Sequence, residues 1–388
     1  MRSWQDRGIY MKVGHIPTLT WNHLRVNNAE VEGDLSLNTK VETSFRTLPD
    51  GVTHTVMTWQ AAKAWIREHA PQEPMEQSVA GKVPMYHPQT FGTGLGAEFD
   101  EYIESSGTMV HLLEAAPGVR AAQPILWDLD YPDLSRSVQA QIIHVGEGAS
   151  MTLLITARSG RFSRGLAGIS TKVVLEKGAQ LFLSKAQMVG SEFTYMDDLG
   201  ATLQEESSLQ LVELELGSGR VYVGAQPELV GDRSRFDAKG AYLGVDDRLI
   251  DINYNAVARG KKTDTEMNFD GVLTDRSSKA LRGTIDFRRG SAGSSGHEKE
   301  NVLLLSDDVV NKTLPVILCE EEDMEGSHGA TIGRLDPDVL FYLASRGIDE
   351  REAERMMVIA RLSAASGDIP DEKLRAELIG VVEEAFQA

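Results

Sequence analysis

Three phrases of the chain, GEGASMTLLI (146–155), EKGAQLFLSK (176–185) and EESSLQLVEL (205–214), repeat one pattern about every 30 residues: a turn, a small residue, then an apolar strand. Recurrence at that interval is the mark of coils stacked one upon another, each burying its inward side chains against the coils above and below. Around these phrases, from Gly107 to about Glu325, short apolar runs such as AQIIHV, TKVVLE, RVYVGA, DINYNAVA and VLLLS are bounded by turn residues, and helix signals almost vanish. The expectation is a mainly β protein with a β-helix or β-solenoid core over 107–333, a sandwich being the alternative. Near-equal strand lengths and the repeated small residue favour the solenoid. Such a stack ends in open edges that must be covered or paired, and a second copy or a homologous subunit would close one of them.

The flanks differ in character. Over 1–106 the pattern is mixed α/β: Thr58 is an N-cap for an amphipathic helix over 59–70 that Pro71 stops, 71–84 is a polar Pro-containing linker, and 96–105 predicts a second short helix. His15 and His23 stand isolated among apolar neighbours and are read as structural. Over 334–388 the pattern is helical. Asp336 caps a helix with Pro337 at its first position and Gly347 past its end, and Asp349 with Glu352 opens the next, which Gly367 ends. A last helix spans about 371–386. These helices are too few to hide Leu340, Phe341, Leu343, Met356, Met357, Ile359, Leu378, Ile379, Val382 and Phe386 by themselves, so the β-core or another protein must cover them.

Composition narrows the function classes. A formal charge of −19 over 388 residues argues against nucleic acid or an anionic membrane surface as main partner. The single cysteine forms no internal disulfide, and the opening MRSWQDRGIYMKVGH has no apolar signal-peptide run, so the expected compartment is the cytoplasm. No apolar run is long enough to span a bilayer.

Chemistry concentrates in 317–345, ILCEEEDMEGSHGATIGRLDPDVLFYLAS, which holds the only thiol, a carboxylate run and a histidine. If 317–322 is extended, alternation places Cys319 and Glu321 on one face and Glu320 and Glu322 on the other. Gly326, Gly329 and Gly333 are expected to interrupt regular structure and let the chain bring His328 back toward that pair. Thiolate, imidazole and carboxylate together suit iron or zinc, so Cys319, Glu321 and His328 are the candidate metal ligands, with Glu320, Glu322 and Asp323 as additional donors. The plainer readings are a small buried hydrophobe for Cys319, a solvated loop for the acidic run and a turn residue for His328.

Weaker motifs are read structurally. GTGLG (92–96) lacks full dinucleotide-fingerprint spacing and is taken as a flexible loop, GSAGSSG (290–296) as a mobile hairpin, and Arg158, Arg161 and Arg164 as a solvated basic patch. Absence of a G-x-x-x-x-G-K-[ST] loop predicts that the chain binds and hydrolyses no nucleotide. An enzyme reading, a β-helix carbohydrate lyase or hydrolase using Asp246 and Asp247, is the competing class.

The words SHGATIGRLDPDVLFYLASRGI (327–348), continued backward through NVLLLSDDVVNKTLPVILCEEEDMEG (301–326), resemble the terminal segment of the SufB/SufD proteins of iron-sulfur cluster assembly. The resemblance implies a right-handed parallel β-helix and a non-catalytic scaffold that carries a transient iron-sulfur cluster at a homodimer or heterodimer interface. It implies that the terminal helices dock a SufC-like ABC-type ATPase through Leu340, Phe341, Tyr342, Leu343, Arg346, Gly347, Met356 and Met357, with a sulfur donor and recipient apoproteins as further partners. His328 matches the family's interface histidine. Gly326 stands where many members have cysteine, and residues such as Glu300 and Val309 occupy the stretch of SufB's upstream cysteines, so the chain departs from SufB-type ligation. A SufD-like subunit without metal ligation is the reading that competes within the family.

Overall fold

A computed structural model describes residues 10–18, 20, 22–46, 48–70 and 91–385. Strand β1 (Tyr10–Val13) pairs antiparallel with β2 (Ala29–Glu32), and β3 (Glu42–Phe45) and β4 (Val52–Met57) precede helices α1 (Trp59–His69) and α2 (Ala97–Ser105). Next come β5 (Val110–Ala115), β6 (Ile125–Asp130), β7 (Arg136–Val145), β8 (Ser150–Arg158), β9 (Arg164–Leu175), β10 (Gln180–Met188), β11 (Glu192–Leu203) and β12 (Ser208–Glu215). The series continues with β13 (Arg220–Leu229), β14 (Arg235–Gly244), β15 (Leu249–Ala258), β16 (Asp264–Leu273), β17 (Ser278–Phe287), β18 (Ser294–Leu304), β19 (Val310–Cys319) and β20 (Met324–Gly333). Helices α3 (Pro337–Ser345), α4 (Glu350–Ser366) and α5 (Glu372–Ala385) end the described chain.

From β5 onward, odd strands build one sheet and even strands the other, and every pairing within this series is parallel. Each coil therefore gives one strand to each sheet, the solenoid expected from the repeat; a sandwich would join neighbouring strands by antiparallel hairpins. Corresponding residues recur every 26–32 positions, as in the column Leu153, Leu183, Leu211, Ala238, Met267. A ladder of turns fixes that interval. Gly148 and Gly178 adopt φ of 63° and 67°, where a glycine avoids the Cβ clash, and their N–H groups donate to the carbonyls of Lys177 and Glu205 in the following coil at 2.9 and 2.8 Å. Glu206, Arg233 and Lys262 take the same left-handed place in later coils and extend the ladder.

In the middle coils both faces of the sheets are covered, so those strands carry near-continuous apolar runs. Along β10, Leu181 and Leu183 join the interior core while Ala186 and Met188 face the terminal helices. The outer face of the even sheet (Met188, Val212, Leu214, Leu243, Leu303) is covered by Val358 and Leu362 of α4 and Leu374, Leu378 and Val382 of α5. The outer face of the odd sheet receives Phe99, Tyr102 and Ile103 of α2. Asp336 and Asp349 cap α3 and α4 as expected, and Gly347, at φ 87°, follows α3.

Several expectations are corrected. GTGLG is a packed strap: a Cβ on Gly94 would stand 2.0 Å from the Ala225 nitrogen. The amide of Asn253 donates to the Gly94 carbonyl at 2.8 Å, and the Leu95 N–H donates to Asp198 at 2.7 Å. GSAGSSG is no hairpin; it forms the turn into β18 between parallel coils, tied by the Gly293 N–H on the Asp323 carbonyl at 2.6 Å. Arg158 is held by Asp128 and Glu377 and is no free patch residue. The 71–84 linker and Phe386 lie outside the described residues.

Candidate functional site

The two ends of the solenoid are built differently. At the N-terminal end, β3 and β4 lie antiparallel on β6 and β5 and cover the first coil. At the C-terminal end, among the described residues, β19 pairs only with β17 and β20 only with β18. Their other edges carry unpaired backbone donors and acceptors, and nearly all of β20 is exposed.

Cys319 and His328 both stand in this last coil. Cys319 continues the interior column Leu203, Leu229, Ala258, Phe287, and His328 continues the column Ala238, Met267, Glu298 of the opposite sheet. With no further coil above them, both are exposed. Thus one thiol and one imidazole terminate two columns that are otherwise buried. Partial burial and the charge of Asp286 raise the Cys319 pKa above that of a free thiol. Two expectations fail here: β20 runs unbroken through Gly326 and Gly329, and the strand ends at Cys319, so alternation does not carry Glu321 to the thiol's face. At Gly326 a Cβ would approach Ile317 and Phe287 at 3.3 Å, so a small residue suits that packing.

The acidic run has structural employment. Glu320 pairs with Arg288 at 3.4 Å, and Arg288 also holds Asp286 at 2.6 Å. Glu321 accepts the N–H groups of Gly290 and Glu322, both at 3.0 Å, which lowers its pKa. Glu322 and Asp323 are exposed. Among the described residues, no group of three or more His, Cys, Asp and Glu side chains is placed to hold a metal ion. One chain therefore offers an incomplete donor set at this end.

Behind the last coil lies a polar layer that sequence patterning missed. Glu300, 1% exposed, accepts the Lys279 ammonium at 2.5 Å, the Tyr242 hydroxyl at 2.7 Å and the Thr313 hydroxyl at 2.5 Å. Glu298, directly beneath His328, fits where Gly283 leaves room, since a Cβ there would stand 2.0 Å from its carboxylate. Burial, then the Glu300 charge, pushes the Glu298 pKa up to about 7. A similar layer in the middle coils joins Lys185 to Asp197 and Glu213 to Tyr254. The available signal was the coil register: charges at inward positions stand out once the columns are aligned.

The helices divide the candidate docking residues. Nothing in α3 is buried: Phe341 is 78% and Tyr342 57% exposed, Arg346 and Gly347 are exposed, and Leu340 and Leu343 are half-buried. Met356 and Met357 of α4 are exposed, whereas Ile359, Leu378, Ile379 and Val382 pack toward the β-core. Asp246 and Asp247 sit at an exposed turn where Asp247 pairs with Arg276 at 2.6 Å.

These features define a class: a parallel two-sheet solenoid, covered at one end, bare at the other, with a helical tail folded along one face. The model of the SufBD core domain of the SUF system for iron-sulfur cluster assembly matches residues 132–361, and the chain belongs to that family. It is 27% identical over 190 residues to the iron-sulfur cluster assembly protein SufD of Bacillus subtilis, covering 49% of this chain and 44% of that protein. It is 30% identical over 159 residues to a SufBD family protein of Pyrococcus horikoshii, covering 41% and 35%, and 29% identical over 108 residues to SufD of Escherichia coli, covering 28% and 26%. The chain thus spans less than half the length of these curated relatives. No helix among the described residues is long and apolar enough to cross a membrane.

Proposed function

We propose that this chain is a non-catalytic subunit of iron-sulfur cluster assembly that works in the cytoplasm, holding a transient cluster as cargo at its bare solenoid end. The supporting observation is the placement of Cys319 and His328 as the exposed ends of two interior columns. Pairing of the β19 and β20 edges with a second copy or a homologous subunit brings in further donors, which the incomplete set of one chain requires. A thiolate and an imidazole from each side suit iron better than the acidic run, whose Glu320 and Glu321 are already engaged.

In this reading the energy comes from a SufC-like ABC-type ATPase docked on α3, and sulfur comes from a separate donor protein. The exposed Phe341 and Tyr342, on a helix with no buried residue, support the docking face. Anaerobic reconstitution of the assembled complex, with iron and sulfide counted, tests the ligand role: Cys319→Ser and His328→Ala each lower cluster content, and unchanged content sinks it. Capture of the ATPase tests the docking face: Phe341→Ala with Tyr342→Ala abolishes it, and undiminished capture removes α3 from the interface.

A further inference from the structure

The covered end of the solenoid holds a different pair of donors. His54 of β4 and His111 of β5 are diagonal neighbours on one face, since the register sets His54 opposite Leu113 and Val56 opposite His111. Nε2 of His54 lies 3.0 Å from Nδ1 of His111, with ring centroids 5.1 Å apart and planes 22° from parallel. The pair stands among aromatic rings: Phe45 is 4.6 Å from His54 and Trp127 is 5.6 Å from His111, centroid to centroid. Both imidazoles are half-buried, and the electrostatic influences on them come from burial and from each other, with no carboxylate among them.

We propose that His54 and His111 form a two-imidazole site for a borderline divalent transition metal of the copper, nickel or zinc type, with water completing the coordination. Imidazole nitrogens bind such ions at about 2.0–2.1 Å, so two of them in adjacent coordination positions lie roughly 3 Å apart, the separation found here. Each ring must present a lone pair, which requires the neutral form. Burial lowers both pKa values, that of His111 to about 4 with a contribution from the charge of His54, so near neutral pH no proton has to leave. The one proton between the rings moves to the far nitrogen of its own imidazole, and proton count is conserved. Without a carboxylate in the pair, hard magnesium and calcium ions find no suitable ligands. Because the donors sit on β4 and β5, the metal staples the capping strand to the first coil.

Full-length protein carrying Cys319→Ser, which removes the only thiol, is the material for the test. One equivalent of Cu²⁺ should give an electron paramagnetic resonance spectrum with hyperfine coupling to two nitrogens, and Ni²⁺ should bind calorimetrically with one-to-one stoichiometry. His54→Ala and His111→Ala should each lose one coupled nitrogen and weaken Ni²⁺ binding at least tenfold. Unchanged nitrogen count and affinity in the double variant would overturn the site. Should His111→Ala fail to fold, His54→Ala decides alone: Ni²⁺ raises the melting temperature of the parent and leaves that variant unmoved, and an equal rise in both refutes the proposal.

Discussion

The first and last coils use the same backbone geometry and end in opposite ways. At the first, β3 and β4 close the stack, and Trp127 lies fully buried with its indole N–H on the Thr43 hydroxyl. At the last, no strand among the described residues follows β19 and β20 along the stack; α4 and α5 fold back over the outer face of the even sheet. A solenoid needs both ends protected to be soluble and discrete. The asymmetry leaves the β19 and β20 edges bare, and the exposed thiol and imidazole lie at that end.

The largest expected effect contrasts the two ends directly. Trp127→Ala should lower the unfolding free energy by about 3–5 kcal/mol, the usual cost of emptying a buried tryptophan site, whereas Ile332→Ala on the 51% exposed β20 residue should change it by no more than about 0.5 kcal/mol. Denaturant titration of the two variants measures the difference, and equal losses would erase the distinction.

A second contrast sets the interior against the rim by pH. Glu298 is neutral in both states below its unfolded pKa near 4.5. Above that the unfolded chain ionises first while the native residue keeps its proton up to about 7. The unfolded state then binds fewer protons, so stability falls as pH rises from about 4.5 through 7, by about 3 kcal/mol for this group. Glu213, raised to about 8 by burial and then the Asp197 charge, adds a slope of the same sign. Glu298→Gln should flatten the decline measured by chemical denaturation between pH 5 and 8; an unaltered slope places the titration elsewhere. The smallest effect belongs to the helical tail, where Asp349 accepts the Glu352 N–H at 2.9 Å. Asp349→Ala should cost about 1 kcal/mol, visible as faster amide exchange in the first turn of α4.

Much of the fold was legible because the turns are. GEGAS, EKGAQ and EESS place a small or left-handed residue at the same step of each coil, a local requirement that sequence displays openly. The terminal caps Asp336 and Asp349 were legible for the same reason. What escaped is non-local. GTGLG was read as mobile because its glycines announce freedom, whereas their use is close approach to Gly224 and Gly200, more than a hundred residues away. The pairs Lys185 with Asp197 and Lys279 with Glu300 escaped because alternation loses meaning in strands buried on both faces, where polar residues on either side look alike. At the site, the thiol and histidine were found by residue type, but alternation was extended past the strand end at Cys319, and the carboxylates it enlisted are held by Arg288 and by turn amides.

The constant step of the stack has a consequence for how such a molecule can change. Neighbouring strands are spaced about 4.8 Å apart, so insertion or loss of one whole period moves the two termini of the rod apart or together by that amount while every remaining contact keeps its partner. Reach, in this architecture, is quantised: the separation between the imidazole pair at one extremity and the thiol at the other can be lengthened like a ladder gaining a rung, without redesign of either extremity.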